Sequence, residues 1–354
     1  MFTPADSLYI CRNQQRMMGT NVSIQLAVPS THVTMAACAL HESFLWLAEV
    51  EEHLTRFNAS SELMRLNAHP GTPFDASPML LDCLSVALKA AECTNGLYDP
   101  ALLPHLEAAG YDRDFAEIAH QDTGSRASAL PVTGRWREIQ LDGVRSQITL
   151  PLGVQLDLGG IAKGWAADYL ADHLLAPYAN ALINIGGDLR VRGGSTPDTF
   201  WAIAIDNPLL PTIAEDHLAI ITPGRGGVAT SGANRRWWLQ GKQVRHHLID
   251  PRTGHPVQVW TPPETERDAQ AAGTLIAAAT ALAETAVEAE IAAKLALLRG
   301  FPDALQAVAD AWAATPETGT ALLVVLGGGK LHASQNLDAW FQRYAVEKGI
   351  WYLH

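Results

Sequence analysis

The chain has 354 residues, 48% of them apolar, enough to fill a sizeable core and too many for a disordered or low-complexity protein. Its formal charge of −12, with no cluster of Lys and Arg, argues against nucleic acid or an anionic membrane surface as a partner.

Met1 to Cys11 contains no basic residue and is broken by Pro4 and Asp6, so it lacks the charged and apolar parts of a secretion signal. Leu8-Tyr9-Ile10-Cys11 has the outline of a lipoprotein cleavage site, but no apolar segment precedes it, and the expected location is the cytoplasm. Met17 to Val28 predicts a strand. Thr34 to Thr55 predicts a helix with Leu40, Phe44, Leu47 and Val50 on one face. Pro78 to Cys93 predicts a second helix, with Asp75 and Ser77 as candidate caps and a stop near Asn95-Gly96. Gly110 to Gly134 is polar and irregular, a surface loop or a lobe boundary. Trp136 to Leu141 and Ser146 to Leu150 flank Asp142-Gly143, a hairpin signal because such turns need positive φ.

Further on, Val154 to Leu158 predicts a strand and Ala162 to Leu175 a helix. Strands are expected over Ala181 to Ile185, Leu189 to Val191, Trp201 to Ile205, Leu218 to Ile221, Val228 to Thr230, Trp237 to Leu239 and Val244 to Ile249. Pro262 to Ala271 reads as a polar connection, Thr274 to Leu298 and Pro302 to Ala314 as helices, and Leu322 to Leu326 with Lys330 to Ser334 as a hairpin across Gly327-Gly328-Gly329. Helices and antiparallel strands in mixed order predict an α+β fold and not a doubly wound one. No stretch is expected to approach the roughly 18 apolar residues of a spanning helix; the nearest, the Ala-rich region after Ala269, carries Glu284, Glu288 and Glu290. The cysteines, Cys11, Cys38, Cys83 and Cys93, lack paired metal spacing, and Cys38 and Cys83 lie in apolar helical patterns as small hydrophobes, so reduced thiols are expected.

Three segments carry chemistry. Leu156-Asp157-Leu158-Gly159-Gly160-Ile161-Ala162-Lys163-Gly164-Trp165 runs from an apolar stretch through paired glycines into a helical segment. Glycines let a backbone pass close to a bulky ligand, and the free amides of a helix start attract an anion. Alone, this pattern fits a phosphate site or a close-packed turn with Lys163 in solvent. Asn184-Ile185-Gly186-Gly187-Asp188 supplies a second glycine pair between two strands. His246-His247-Leu248-Ile249-Asp250-Pro251-Arg252-Thr253-Gly254 puts a histidine on a strand end before a turn, where alternation sends His246 and His247 to opposite faces and only one into a site.

Taken in order with Met18-Gly19-Thr20, Ser61-Glu62-Leu63-Met64-Arg65-Leu66-Asn67 and Thr230-Ser231-Gly232, these segments resemble the FAD:protein FMN transferase (ApbE) family. The resemblance implies an enzyme that binds FAD and Mg2+, cleaves the pyrophosphate and attaches FMN through a phosphodiester to a Thr or Ser of an acceptor flavoprotein. It also implies a two-lobed, T-fold-like α+β architecture of mixed and antiparallel sheets with flanking helices and a flavin cleft between lobes. Residues 1–354 would form one catalytic unit, with a possible lobe boundary at 110–134. By the same resemblance His247 is the functional histidine, a base or a phosphate hydrogen-bond donor, and Asp250 orients a ring or fixes the turn. Met18, Phe57, the Leu97-Tyr98-Asp99 segment, Gly159, Gly160, Lys163, Trp165, Gly186, Gly187, Leu248 and Ile249 fall on the flavin-nucleotide site. The Ala162 carbonyl falls on a metal ligand, and Ser61, Glu62, Arg65 and Asn67 on a stabilising loop without a catalytic role.

One motif departs. The family's last segment, a helix with Asp and, four residues on, Thr as Mg2+ ligands, is matched by Ala289-Glu290-Ile291-Ala292-Ala293-Lys294, so Glu290 replaces Asp and Lys294 replaces Thr. A protonated ammonium cannot ligate a metal. A shifted alignment with Glu284 and Glu288 offers two carboxylates but loses the following Leu297-Leu298-Arg299-Gly300 match. Two expectations follow: Lys294 supplies the charge that Mg2+ supplies elsewhere, or a metal binds through Ala162 and Glu290 while Lys294 contacts phosphate. Hydrolysis of FAD to FMN and AMP, and a non-catalytic flavin-binding protein, are the alternative functions.

Overall fold

Met18 and Gly19 both take positive φ, 52° and 65°, the geometry of a two-residue hairpin turn. They fold the N-terminus into paired strands β1 (Leu8–Met17) and β2 (Thr20–Pro29), so the single strand expected over Met17 to Val28 is one arm of a hairpin whose turn it includes. The structure, a computed structural model, describes residues 7–119, 122, 132–196, 199–210, 217–241, 243–261, 272–312 and 319–340. The hairpin opens an eight-stranded sheet that continues through β3 (Ala181–Ile185), β4 (Asp188–Arg192), β5 (Arg225–Gly232), β6 (Ile276–Ala283), β7 (Ala321–Leu326) and β8 (Leu331–Ala333). The strands lie side by side in chain order and every pair is antiparallel. The function-bearing segments are insertions between these strands.

Helix α1 (Val33–Leu54) buries Ala36, Leu40, Phe44, Leu47, Val50 and Leu54, the stripe its spacing predicts. With the preceding turn, Ser30–Leu54 is long and apolar enough to cross a membrane, with a hydropathy of 1.2, which corrects the expectation that no segment reaches that threshold; its buried stripe packs in the main core. Helix α2 (Pro78–Cys93) starts with Pro at its first turn, and Ser77 Oγ accepts from Leu80 N at 3.2 Å. Asp75 caps nothing and pairs with Gln147 in a small three-stranded sheet that also holds the hairpin predicted around Asp142-Gly143. Cys83 is buried in α2, Cys38 is exposed where a buried thiol was expected, and all four cysteines are free.

Two expectations fail for identifiable reasons. Val154 to Leu158 joins no sheet, and its middle residue is held by a side chain: Asn67 Nδ2 donates to the Leu156 carbonyl at 2.9 Å and Asn67 Oδ1 accepts from Leu156 N at 2.7 Å. Thr274 to Leu298 is not one helix. Ile276–Ala283 is strand β6, buried at every position, and the helix α4 begins only at Ala286 and runs to Arg299. Alanine favours helices intrinsically, but this segment lies between β5 and β7, where small side chains suit a strand covered on both faces. The true start was written as Thr285-x-x-Glu288, a capping box, and Thr285 Oγ1 accepts from Glu288 N at 3.1 Å. The predicted strand Val244 to Ile249 likewise breaks at His247 and Leu248, into Gln243–His246 and Ile249–Asp250. Pro262 to Ala271 and residues 120, 121 and 123–131 of the predicted boundary lie outside the described residues.

Helix α3 (Ala162–Tyr169) and α4 cross beside the sheet and exchange hydrogen bonds through two carboxylates. Asp168 of α3 accepts from the Ala286 and Val287 amides that open α4, at 2.8 and 2.9 Å, and Glu290 of α4 accepts from Gly164 N of α3 at 2.9 Å. Gly164 makes the crossing possible: a Cβ there would lie 2.8 Å from Glu290 Oε2 and 3.0 Å from the Ala286 carbonyl oxygen. Gly164→Ala is expected to cost about 1–3 kcal/mol by overpacking this contact, read as a lowered denaturant midpoint with an unchanged slope; an unshifted midpoint would show that the helices can separate freely.

Candidate active site

The insertions and the sheet enclose a cavity of about 930 Å³, at the upper end of the ~300–1,000 Å³ typical of small-molecule sites. Each element contributes by its end. The β1–β2 turn supplies Met18, the chain leaving α1 supplies Arg56 and Phe57, the stretch after α2 supplies Leu97, Tyr98 and Asp99, and the turn before α3 supplies Gly159, Gly160, Ala162 and Lys163. Gly186 and Gly187 form the β3–β4 turn, His247, Leu248 and Ile249 come from the insertion between β5 and β6, and α4 presents Glu290 and Lys294. Met18 and Lys294, 276 residues apart in sequence, therefore meet at one site.

Gly186 shows why this turn needs glycine. Its φ is +68° and a side chain would run into Thr20 of the first hairpin. The turn is held by Asn184 Oδ1, which accepts from Gly187 N at 2.8 Å, and it aims Asp188, the next residue, at the cavity floor.

The floor is a cluster of four charges. Lys163 Nζ pairs with Asp188 and, at 3.0 Å, with Glu290 Oε1; Lys294 Nζ donates to the same Glu290 oxygen at 2.7 Å. The two lysine side chains are 14% and 15% exposed and Glu290 only 1%. Burial pulls the Lys163 pKa down, but Asp188 and Glu290 outweigh it and hold it above the usual range. Burial raises the Glu290 carboxyl, yet the two ammonium groups bring it well below normal. Burial, followed by the nearby Glu290, raises Asp188, and burial lowers Lys294 against the pull of Glu290.

These side chains do not fit the divalent metal of the family resemblance. Glu290 Oε1 is spent on two ammonium groups and Oε2 on the Gly164 amide, and among the described residues no three His, Cys, Asp or Glu side chains converge as a metal set. Mg2+ requires near-octahedral oxygen donors, and a divalent charge about 4 Å from one ammonium meets roughly 8 kcal/mol of repulsion at an effective dielectric of 20. The shifted alignment fails too, since Glu284 points outward beside Arg225 while Glu290 sits in the cavity.

Above the floor, three buried polar atoms have no hydrogen-bond partner: Arg56 Nη2, Tyr98 Oη and His247 Nδ1, all on cavity-lining residues. Buried polar groups are rarely left unpaired in a folded protein except where a ligand completes them. Arg56 was missed in the sequence. Its guanidinium lies 4.3 Å from the ring centres of both Phe57 and Tyr111, and its Nε pairs with Asp157 at 2.8 Å. Phe57 itself is 44% exposed at the cavity mouth. The signal was the Arg-Phe dipeptide after an amphipathic helix, legible only once Asp157 and Tyr111 are brought to it.

The two histidines separate as expected, although the strand ends at His246. His246 is buried, its Nδ1 accepts from Leu248 N at 3.2 Å and its Nε2 lies 2.9 Å from the Val257 carbonyl, a pairing that fixes a neutral ring; burial takes its pKa to about 4, against the backbone bond. His247 faces the cavity, and burial, with Arg236, His246, Lys294 and Lys163 nearby, holds its pKa well below normal, so its ring is neutral.

Three assignments are corrected. Trp165 does not line the cavity: it packs against Trp46 and Tyr169 in the core, and its indole N–H donates to Asp82 at 2.7 Å. Asp250 orients no ring. Its oxygens accept from the Arg252 backbone and guanidinium at 2.8 to 3.2 Å, so it fixes the turn. Asp99 borders the cavity, but its oxygens accept from Ala101 N at 2.8 Å and Gly134 N at 2.9 Å, which makes it a brace for Leu97 and Tyr98. Ser61 and Glu62 are bracing residues as expected, Ser61 capping Met64 N and Glu62 accepting from Ser77 N at 2.6 Å.

The cavity sets glycine turns, a helix start, a neutral imidazole and paired lysines around one space on an antiparallel α+β scaffold. The ApbE family profile matches residues 18–315, and the chain belongs to the ApbE family. It is 29% identical over 213 residues to an FAD:protein FMN transferase of Vibrio cholerae serotype O1, covering 60% of this chain and 63% of that protein. It is 27% identical over 267 residues to the FAD:protein FMN transferase of Haemophilus influenzae, covering 71% and 76%. The chain thus spans somewhat under two thirds of the length of the Vibrio relative. An ApbE protein from Thermotoga maritima has the same fold, with a TM-score of 0.76 at 23% identity over 95% of this chain and 100% of that one. The flavin transferase ApbE from Vibrio cholerae gives 0.69 at 23% identity, over 94% and 100%. The expected α+β fold is thereby borne out.

Because native His246 is neutral where the unfolded side chain, with its pKa of 6.5, binds a proton, stability rises with pH through that window and is lost as pH falls from 6.5 toward 4. The loss is of order 3 kcal/mol, and His246→Gln is expected to flatten this part of the stability profile in chemical denaturation. A variant as acid-sensitive as the parent would remove His246 from the explanation.

Proposed function

We propose that this chain is an FAD:protein FMN transferase, a reading carried by one observation: a single cavity brings together the Gly159-Gly160 turn, the Lys163–Lys294 pair, the Gly186-Gly187 turn and the neutral ring of His247. The family membership and the names of the relatives support it. The cavity draws lining residues from Arg12 to Leu298, which supports treating the chain as one catalytic unit.

FAD would enter with its isoalloxazine near Met18, Phe57 and Tyr98, where aromatic faces and the Arg56 guanidinium offer stacking surfaces. Its diphosphate would lie over Gly159 and Gly160 at the start of α3, with the lysine ammonium groups below. A Ser or Thr hydroxyl of an acceptor flavoprotein then approaches His247. The hydroxyl oxygen attacks the phosphorus that bears FMN, its proton passes to the imidazole, the phosphorus–oxygen bond to AMP breaks, and the electron pair leaves on the AMP phosphate. A ring kept neutral by burial and neighbouring cations is available as a base at and below neutral pH.

His247→Ala is expected to lower AMP release about 10²–10⁴-fold, the usual worth of a positioned base, while FAD binding measured by fluorescence quenching is retained. Incubation of the pure protein with FAD and a flavoprotein acceptor, followed by acceptor mass and AMP, tests the reading as a whole: AMP with no mass gain means hydrolysis, and neither product means a flavin binder. Since the His247 pKa is depressed, the acidic limb of kcat/KM should lie well below pH 6.5. A limb at or above 6.5 would assign the base elsewhere.

A further inference from the structure

Two lysine ammonium groups are built into the cavity floor. Lys294 sits one helical turn after Glu290 on α4, close enough to donate to it at 2.7 Å. That bond uses one of its three N–H groups and orients the others, while Lys163 spends two of its three on Asp188 and Glu290. The Lys294 stem packs beneath the glycine turn, since a Cβ on Gly160 would lie 3.6 Å from its Cε and 3.4 Å from the Tyr98 ring. Its head is therefore held beside the first turn of α3, an eight-residue helix with no acidic residue in that turn and with buried, unpartnered Tyr98 Oη and His247 Nδ1 on the same cavity.

Resting on the transferase reading, we propose that Lys294, seconded by Lys163, takes the place of the family's divalent metal, and that this chain binds the diphosphate of its dinucleotide through ammonium groups without a metal ion. The pair of carboxylates serves to fix the two lysines: Glu290 holds Lys294 and Lys163 at one oxygen, and Asp188 holds Lys163 from the facing strand end. The floor is close to neutral overall, so a dianionic diphosphate is met by oriented N–H donors and the helix start, with no need for a second compensating ion.

The test is binding, measured apart from turnover. FAD and, separately, inorganic pyrophosphate are titrated into the full-length protein in EDTA, FAD again in Mg2+, and Mg2+ alone is titrated by calorimetry. Affinity for FAD is expected to be the same with chelator as with Mg2+, and Mg2+ alone to give no binding isotherm. Lys294→Met is expected to weaken both ligands about 10–100-fold, as for loss of one charge-assisted hydrogen bond, and Lys294→Arg to keep most of the affinity. Should Lys294→Met misfold, the Lys294→Arg variant and the chelator comparison on the parent still decide. Tight Mg2+ binding, FAD binding that requires Mg2+, or a Lys294→Met variant with unaltered affinity overturns the proposal, and turnover that depends strictly on Mg2+ would do so while leaving the transferase reading intact. Pyrophosphate binding in EDTA that depends on Lys294, in a protein that neither transfers nor hydrolyses FAD, would uphold the lysine site and overturn the transferase reading.

Discussion

The carboxylate of Glu290 is the point on which both the fold and the site turn. It is almost wholly buried, and each oxygen is engaged: one by two lysines, the other by the amide of Gly164. A buried carboxylate is costly to strand and becomes tolerable only with good geometry and further hydrogen bonds. Here those partners come from α3 and from the next turn of α4 itself, so satisfying one charge also fixes the crossing of α3 and α4 and the position of both ammonium groups. The reciprocal bond from Asp168 to the start of α4 closes the arrangement, leaving little freedom for either helix to slide.

That constraint explains why the glycine segment reads as it does. Gly159 and Gly160 lie at the cavity, where they leave the backbone open to it, whereas Gly164 lies at the helix crossing, where backbone must come close to Glu290. The two demands are five residues apart in sequence and face different partners. Asn67, far earlier in the chain, then ties down Leu156 at both its amide and its carbonyl, without a neighbouring strand, just ahead of the glycine turn.

The sequence made the site's turns and its histidine legible because each is a local event: paired glycines need no distant partner to be recognised, and the adjacent His246 and His247 sit at the end of a short strand. The charge cluster was only half legible. Lys294 stood out as a departure, but its meaning depended on Lys163 and Asp188, which meet it only through the β3–β4 turn and the α3–α4 crossing. Burial patterns misled where they were ambiguous. A run of alanines scores as helix by propensity, and only its place between β5 and β7 makes Ile276–Ala283 a strand, although the capping box at Thr285 marked the real helix start. Trp165 matched a family position and still faces the core, since its indole has Asp82 and Trp46 as partners.

Electrostatics joins the floor to the chemistry above it. A lysine pair compensated by two carboxylates leaves a floor of small net charge but strongly directional donors, and the same ammonium groups stand close enough to His247 to oppose its protonation. A base must be neutral before it accepts a proton and must sit near charge that stabilises the developing oxyanion, two requirements that conflict if the nearby cation is mobile. Carrying the cation on a side chain of α4 and pairing it with Glu290 resolves the conflict: it cannot drift onto the imidazole, and it does not have to be recruited with each substrate. In the proposed reaction a proton taken up by His247 would sit beside two fixed ammonium groups, so the charge that disfavours its uptake would also press it onward to the departing phosphate oxygen.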